Sequence, residues 1–207
     1  MPDNIVLTAF TQTNTDRVYI KNERKEPDHF TLFFSYGSDS LPVVRGLNFD
    51  DRNAFVVEAG EKRDTVTYWL RDTALVNQDT LNVAMSYLMT DSLGKLVTHT
   101  DTLEILSKQP YAKRLKQREK EYEKWEKQQE KRRKRGEPFD SVMPVRPLEV
   151  DIKLQSELDP DKNIRFSFPT PLARIDTSAI HLYAKHDTLW YRVPMEFDRL
   201  QSREYEL

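Results

Sequence analysis

Thr80–Thr90 reads TLNVAMSYLMT. Leu81, Val83, Met85, Tyr87 and Met89 recur at every second position, with Asn82, Ala84 and Ser86 between them. A period of two places one set on each face of an extended strand, so the apolar set faces a core and the polar set faces out. Asp91-Ser92-Leu93-Gly94 follows with the composition of a hairpin turn, and 96–106 supplies the returning strand.

The same rhythm extends upstream. Phe30, Leu32, Phe34 and Tyr36 share a face opposite Thr31 and Ser35, and Val66, Tyr68 and Leu70 alternate with Thr65 and Thr67. Weaker alternation marks 5–10, 17–21, 43–49 and 54–59, and GSDS (37–40) and NFDDRN (48–53) have turn composition. Closely spaced short strands with turn signals between them, and no helical period among them, predict an antiparallel β-sandwich over 1–108. Asp-Thr recurs at 64–65, 79–80, 101–102, 176–177 and 187–188. Each copy is read as a turn-closing carboxylate followed by a β-branched residue that starts a strand.

Residues 109–147 break the pattern. YAKRLKQREKEYEKWEKQQEKRRKRGE (111–137) follows Pro110, a favoured helix start, and Gly136 with Pro138 supplies a stop signal. Tyr111, Leu115, Tyr122 and Trp125 form a thin apolar stripe, and nothing apolar follows until Phe139. The expectation is a helix anchored through its first half, with the Glu126–Arg135 half projecting into solvent. The helix works as a strut or linker, continued by the proline-bearing connector EPFDSVMPVRP. In 148–207 alternation resumes at Leu148–Leu154, NIRFSF (163–168), IHLYAK (180–185), TLWYRVPMEF (188–197) and Arg203–Leu207. These strands are too few for a closed sandwich of ~100 residues, so the sequence is expected to stop inside a second β-domain.

Composition bounds the function. The chain of 207 residues carries net charge −2, made of +6 within 111–137 and −8 elsewhere. KRRKR (131–135) raises the question of nucleic acid. Glutamates interleaved through the helix and the acidic remainder argue against a polyanion partner. The a/d-like positions include Arg118, Gln129 and Arg132, which argues against a coiled coil. The chain has no cysteine and therefore no disulfide or thiolate chemistry. No apolar run approaches the ~18 residues of a spanning helix.

Chemistry-bearing motifs are sparse. Asp159-Pro-Asp161-Lys-Asn163 copies the opening of a Ca²⁺ loop, yet Ile164 and Thr170 stand where such a loop needs Gly and Glu, which favours a turn. His181 and His186 are placed on neighbouring strand ends where they can converge, while His29 and His99 have no partner at zinc spacing. There is no Gly-x-Ser-x-Gly elbow and no glycine-rich phosphate loop. The reading is a non-enzymatic protein without a cofactor. Trp69 and Trp190, predicted to face outward, are the candidate contact residues, or else they cover the sandwich.

The segment 158–197 also carries a family pattern. Asn163, Phe166, Phe168, Pro171 and Leu172 form an N-x-x-F-x-F-x-x-P-L strand and bend; Ile175, Asp176, Ile180 and Leu182 form an I-D-x-x-x-I-x-L strand; Asp187, Thr188, Leu189 and Trp190 form D-T-L-W. This resembles the bacterial Ig-like domains of Bacteroidetes envelope proteins, which are related to S-layer Ig-like modules. NIVLTAF, FTLFFS, DTVTYWLRD and YLMTDSLGKLVTHTDTL, followed by the charged helix, resemble the other segment of such proteins.

The resemblance implies a stretch of a longer exported lipoprotein whose signal lies upstream, located in the cell envelope and acting in scaffolding or protein binding. Its implied partners are other envelope proteins or surface glycan, with membrane attachment only through a lipid anchor outside this stretch. The rival expectations are a carbohydrate-binding module, which needs coplanar exposed aromatics, and a hydrolase, which needs converging carboxylates.

Overall fold

The computed structural model describes residues 15–145, 147–153 and 162–207. The early candidate strand 5–10 lies outside them, as do Asp159 and Asp161. The protein is mainly β, and the chain divides into two units, Met1–Gln109 and Pro110–Leu207.

Among the described residues the first unit holds seven strands: β1 (Tyr19–Glu23), β2 (His29–Phe34), β3 (Val43–Gly46), β4 (Phe55–Ala59), β5 (Thr65–Leu70), β6 (Thr80–Thr90) and β7 (Leu96–Leu106). They form two sheets, β1-β2-β5-β4 and β3-β6-β7, paired antiparallel throughout. Alternation explains the packing. Phe30, Leu32 and Phe34 of β2, Val66 and Tyr68 of β5, Leu81, Val83, Met85 and Tyr87 of β6, Val44 of β3 and Ile105 of β7 share one buried cluster. The core therefore lies between the inner faces of the two sheets.

Aromatic rings fill its middle. Phe30 stacks on its register partner Tyr68 with centroids 5.1 Å apart, and Phe55 meets both edge-on at 5.8 and 5.6 Å. The Tyr68 hydroxyl donates to the Pro42 carbonyl, which ties the approach to β3 to the opposite sheet. Burial pushes the ionisation of the Tyr68 phenol far up, and does the same for Tyr87, whose hydroxyl also donates to Asp101.

The turns use the expected side chains. The Asp91 carboxylate accepts from the amides of Leu93 and Lys95 at 2.9 and 2.8 Å, and Gly94 takes φ +76°. Of the Asp-Thr pairs, Asp176-Thr177 closes a turn but opens a 3-10 helix, Thr177–Ala179, where a strand was expected, with Asp176 accepting from the Ser178 amide, and Asp101-Thr102 departs from the turn reading altogether. It lies within β7, where Asp101 accepts from Tyr87 and contacts His99 at 3.0 Å.

One element of this unit has no counterpart in the sequence reading. A short helix, α1 (Thr73–Asn77), follows β5, capped by the Asp72 carboxylate on the Ala74 amide and anchored by buried Leu75. Five residues are too few to display a helical period.

The second unit opens with α2 (Tyr111–Lys134), 24 residues long. Gly136 at φ +70° ends it: the Gly136 amide bonds the Arg133 carbonyl and the Glu137 amide the Arg132 carbonyl, a Schellman closure. That reversal carries Phe139 and Asp140 back over the last turns. Gln129 accepts from the Asp140 amide and is buried, and Arg133 lies 5.9 Å from the Phe139 ring centre. The Glu126–Arg135 half, expected to bury nothing, therefore has a local cover. The apolar stripe is largely open, with Tyr111, Leu115 and Tyr122 each exposed.

The remaining strands of this unit are β8 (Asp151–Lys153), β9 (Arg165–Ser167), β10 (Leu182–His186), β11 (Leu189–Val193), β12 (Asp198–Arg199) and β13 (Glu204–Glu206). They form a sheet ordered β12-β13-β9-β8 and a separate β10-β11 hairpin. If the hairpin counts as the third element, the larger sheet runs first-second-fifth-fourth, as β1-β2-β5-β4 does. The parallel extends to side chains, because Phe166 of β9 pairs with Tyr205 of β13 as Phe30 of β2 pairs with Tyr68 of β5. Phe166, Phe168, Phe197 and Tyr205 make a small aromatic cluster at 5.5–5.6 Å, in which only Phe168 and Tyr205 are buried.

Candidate interaction surface

The β10-β11 hairpin stands out by exposure. Asp187 and Thr188 form its two-residue turn, with Asp187 at φ +55°, a conformation that aspartate tolerates. The register pairs Leu182 with Val193, Tyr183 with Arg192, Ala184 with Tyr191, Lys185 with Trp190 and His186 with Leu189. Directly opposed residues share a face. One face therefore carries Tyr183, Lys185, Trp190 and Arg192, and the other carries Leu182, Ala184, His186, Leu189, Tyr191 and Val193. Trp190 is 63% exposed, Leu189 60%, Tyr191 53% and Tyr183 52%, so neither face is covered. The Lys185 ammonium lies 5.8 Å from the Trp190 ring centre, a cation–π arrangement on an open surface.

Trp69 is placed differently. Its neighbours Val66 and Tyr68 belong to the core, whereas Trp69 points to the outer face of the β1-β2-β5-β4 sheet. There it is only 8% exposed: His29 lies against the ring at 4.3 Å, and the indole N–H donates to Glu58 at 2.8 Å. The covering groups come from the register neighbours β2 and β4. Trp69 and Trp190 are thus one covered and one open tryptophan, not a pair.

The other sequence candidates do not assemble. Asn163 is exposed, and with Asp159 and Asp161 outside the described residues the Ca²⁺-loop reading acquires no geometry. His181 and His186 bracket the single strand β10, which corrects their placement on neighbouring strand ends. An extended run of this length, at ~3.3 Å per residue, holds the two imidazoles apart. His186 instead contacts Asp187 at 3.4 Å, and His29 contacts Asp28 at 2.8 Å. A surface groove between 35–39 and 61–64 carries Asp39, Glu61 and Asp64. Within it Asp39 is paired with Arg63 at 2.7 Å, and Asp64 accepts from the Thr65 hydroxyl.

Two buried arginines escaped the sequence reading. Arg17 donates to the carbonyls of Leu88 and Tyr36, and its guanidinium lies 4.1 Å from the Phe34 ring centre. Burial pulls its ionisation below the ordinary arginine value. Arg24 donates to the carbonyls of Pro27, Leu75, Val76 and Gln78, and so satisfies the C-terminal end of α1. Each sits beside a weakly alternating strand, where arginine ordinarily marks the solvent face, so no local signal distinguishes them.

No protein-family model, curated protein or solved structure matches the chain. No helix among the described residues is long and apolar enough to cross a membrane.

Proposed function

We propose that the chain is a non-catalytic structural or interaction module of a bacterial cell-envelope lipoprotein, built of Ig-like domains with a charged helix between them. The observation that carries this reading is strand order. β1-β2-β5-β4 opposite β3-β6-β7 is the order of a constant-type immunoglobulin sandwich, and the second unit repeats the first-second-fifth-fourth sheet. The strand-and-turn motifs of 158–197 support the envelope assignment through their resemblance. The open β10-β11 hairpin is the surface through which such a module acts.

The face bearing Tyr183 and Trp190 favours one rival, a carbohydrate-binding module, because two exposed aromatics share it. A photo-crosslinking residue at position 190, expressed in the parent organism, separates the readings. The module reading expects a protein adduct at 190 in the envelope fraction and none from the covered position 69. Saturable polysaccharide binding that Trp190→Ala abolishes, with no protein adduct, would overturn it in favour of the rival.

A further inference from the structure

We infer that α2 presents a row of lysines to a thin, extended polyanion, and that the ligand is a linear polysaccharide bearing carboxylates on successive sugars. The inference goes beyond the functional reading above and rests on the helix alone.

The lysines of α2 are Lys113, Lys116, Lys120, Lys124, Lys127, Lys131 and Lys134, each three or four residues from the next. At about 100° per residue all of them fall within an arc of about 80°, so every lysine of the helix lies on one face. Arg114, Arg118, Arg132 and Arg133 fall on the other side, with Tyr111, Leu115, Tyr122 and Trp125. The less exposed residues of the helix, Arg114, Glu121, Trp125, Gln129 and Arg132, lie on that side too, whereas all the lysines are exposed. Among the described residues Lys134 alone of this row has an ionic partner, Glu130 at 2.7 Å; the other lysines have none.

This arrangement works against the helix itself. Lys116, Lys120 and Lys124 set like charges one turn apart, as do Lys127 and Lys131, and each such pair is unfavourable. Lys113 adds positive charge to a first turn that holds no acidic residue. A helix that only needed solvating would be better served by glutamate and lysine alternating at i,i+4.

By composition the interleaved glutamates argue against a polyanion. By position they border the row instead, because Glu119, Glu123, Glu126 and Glu130 form a stripe of their own along one flank. The positive surface is thereby held to the width of one lysine. It runs about 30 Å in steps of about 5 Å. A single chain lying along the row meets only lysines, whereas a duplex or a lipid surface is broad enough to meet the glutamates as well. Duplex phosphates also recur at ~3.4 Å along each strand, out of step with the lysines. An extended polysaccharide with one carboxylate per sugar ring repeats close to one lysine step. Ammonium groups on flexible stems follow such a spacing without the fixed fork that arginine imposes. A shallow groove lined by Pro110, Ala112, Lys113, Lys116, Gln117 and Lys120 seats the start of the chain.

Titration of the full chain with polygalacturonate at low salt tests this, beside fully methyl-esterified polygalacturonate, duplex DNA and vesicles of anionic lipid. Polygalacturonate is expected to bind, with affinity falling steeply as salt rises, and the uncharged ester is not. The triple variant Lys116→Gln, Lys120→Gln, Lys124→Gln is expected to weaken binding roughly tenfold or more. The charge-matched triple Arg114→Gln, Arg118→Gln, Arg132→Gln should weaken it less than about threefold. Glutamine matches lysine and arginine in helix propensity, so circular dichroism should show the same helix content in all three chains. No binding of polygalacturonate at low salt, or equal losses from the two triple variants, overturns the inference. Tighter binding to duplex DNA or to the vesicles than to polygalacturonate overturns the ligand class.

Discussion

The two units share a sheet order and a Phe–Tyr pair across the second and fifth strands, yet they differ in burial. In the first unit Phe30 and Tyr68 are 0% and 2% exposed; in the second Tyr205 is buried while Phe166 remains partly open. The difference lies in what faces the sheet. In the first unit β6 and β7 supply Leu81, Val83, Met85, Tyr87 and Ile105 opposite Phe30, Leu32 and Val66. In the second the separate sheet is the β10-β11 hairpin, exposed on both faces. Strand order sets which side chains point inward, and an opposing sheet decides whether pointing inward means burial.

The most severe test is a pair of truncations. Leu32→Ala is expected to cost roughly 2–5 kcal/mol in urea denaturation, because it empties a fully buried site. Leu189→Ala, on the open hairpin, should change stability by less than about 0.5 kcal/mol. Equal losses would erase the contrast.

A second test asks whether the first unit's closure depends on a buried cation. Arg24→Ala strips a donor from the carbonyls of Leu75, Val76 and Gln78 and should lower stability by roughly 2–3 kcal/mol. Arg24→Lys should recover only part of that, since a single ammonium cannot reproduce the planar fork.

The buried phenols give the contrast a pH signature. Tyr68 and Tyr87 have folded-state ionisations raised mainly by burial. Their contribution is therefore fully present below the unfolded tyrosine value near ~10 and is lost as pH rises above it. Thermal melts should show the first unit weakening above that pH, with a slope of up to about 1.4 kcal/mol per pH unit for each phenol. Tyr68→Phe should flatten the slope. A melting temperature independent of pH through this window would contradict the burial described for both rings.

The smallest effect concerns α2. Gly136→Ala places a side chain at φ +70° with open space around it, so the expected cost of about 1 kcal/mol is purely conformational. It should appear as fraying of the last helical turns in backbone chemical shifts. Phe139 should lose its contact with Arg133 at the same time.

Much of this was legible as period two. Leu81, Val83, Met85 and Tyr87 announce β6 because burial on one face leaves its mark at alternate positions, and Asp91 with Gly94 announces the turn that follows. The features that were not legible depend on groups distant in sequence. Trp69 carries no sign that His29 and Glu58 will cover it, and Arg24 none that Leu75–Gln78 will need its donors. Gln129 is buried only because Gly136 turns the chain back. Trp190 was visible as an exposed aromatic, but its place in a row with Lys185, Tyr183 and Arg192 follows from a register that only the folded hairpin defines.

Residue-resolved amide hydrogen exchange tests most directly whether an opposing sheet decides which strands are protected. The Tyr183 and Lys185 amides should exchange rapidly, while those of Val83 and Met85, in the central strand β6, exchange only with global unfolding. Exchange of Tyr183 and Lys185 as slow as that of Val83 and Met85 would contradict the account.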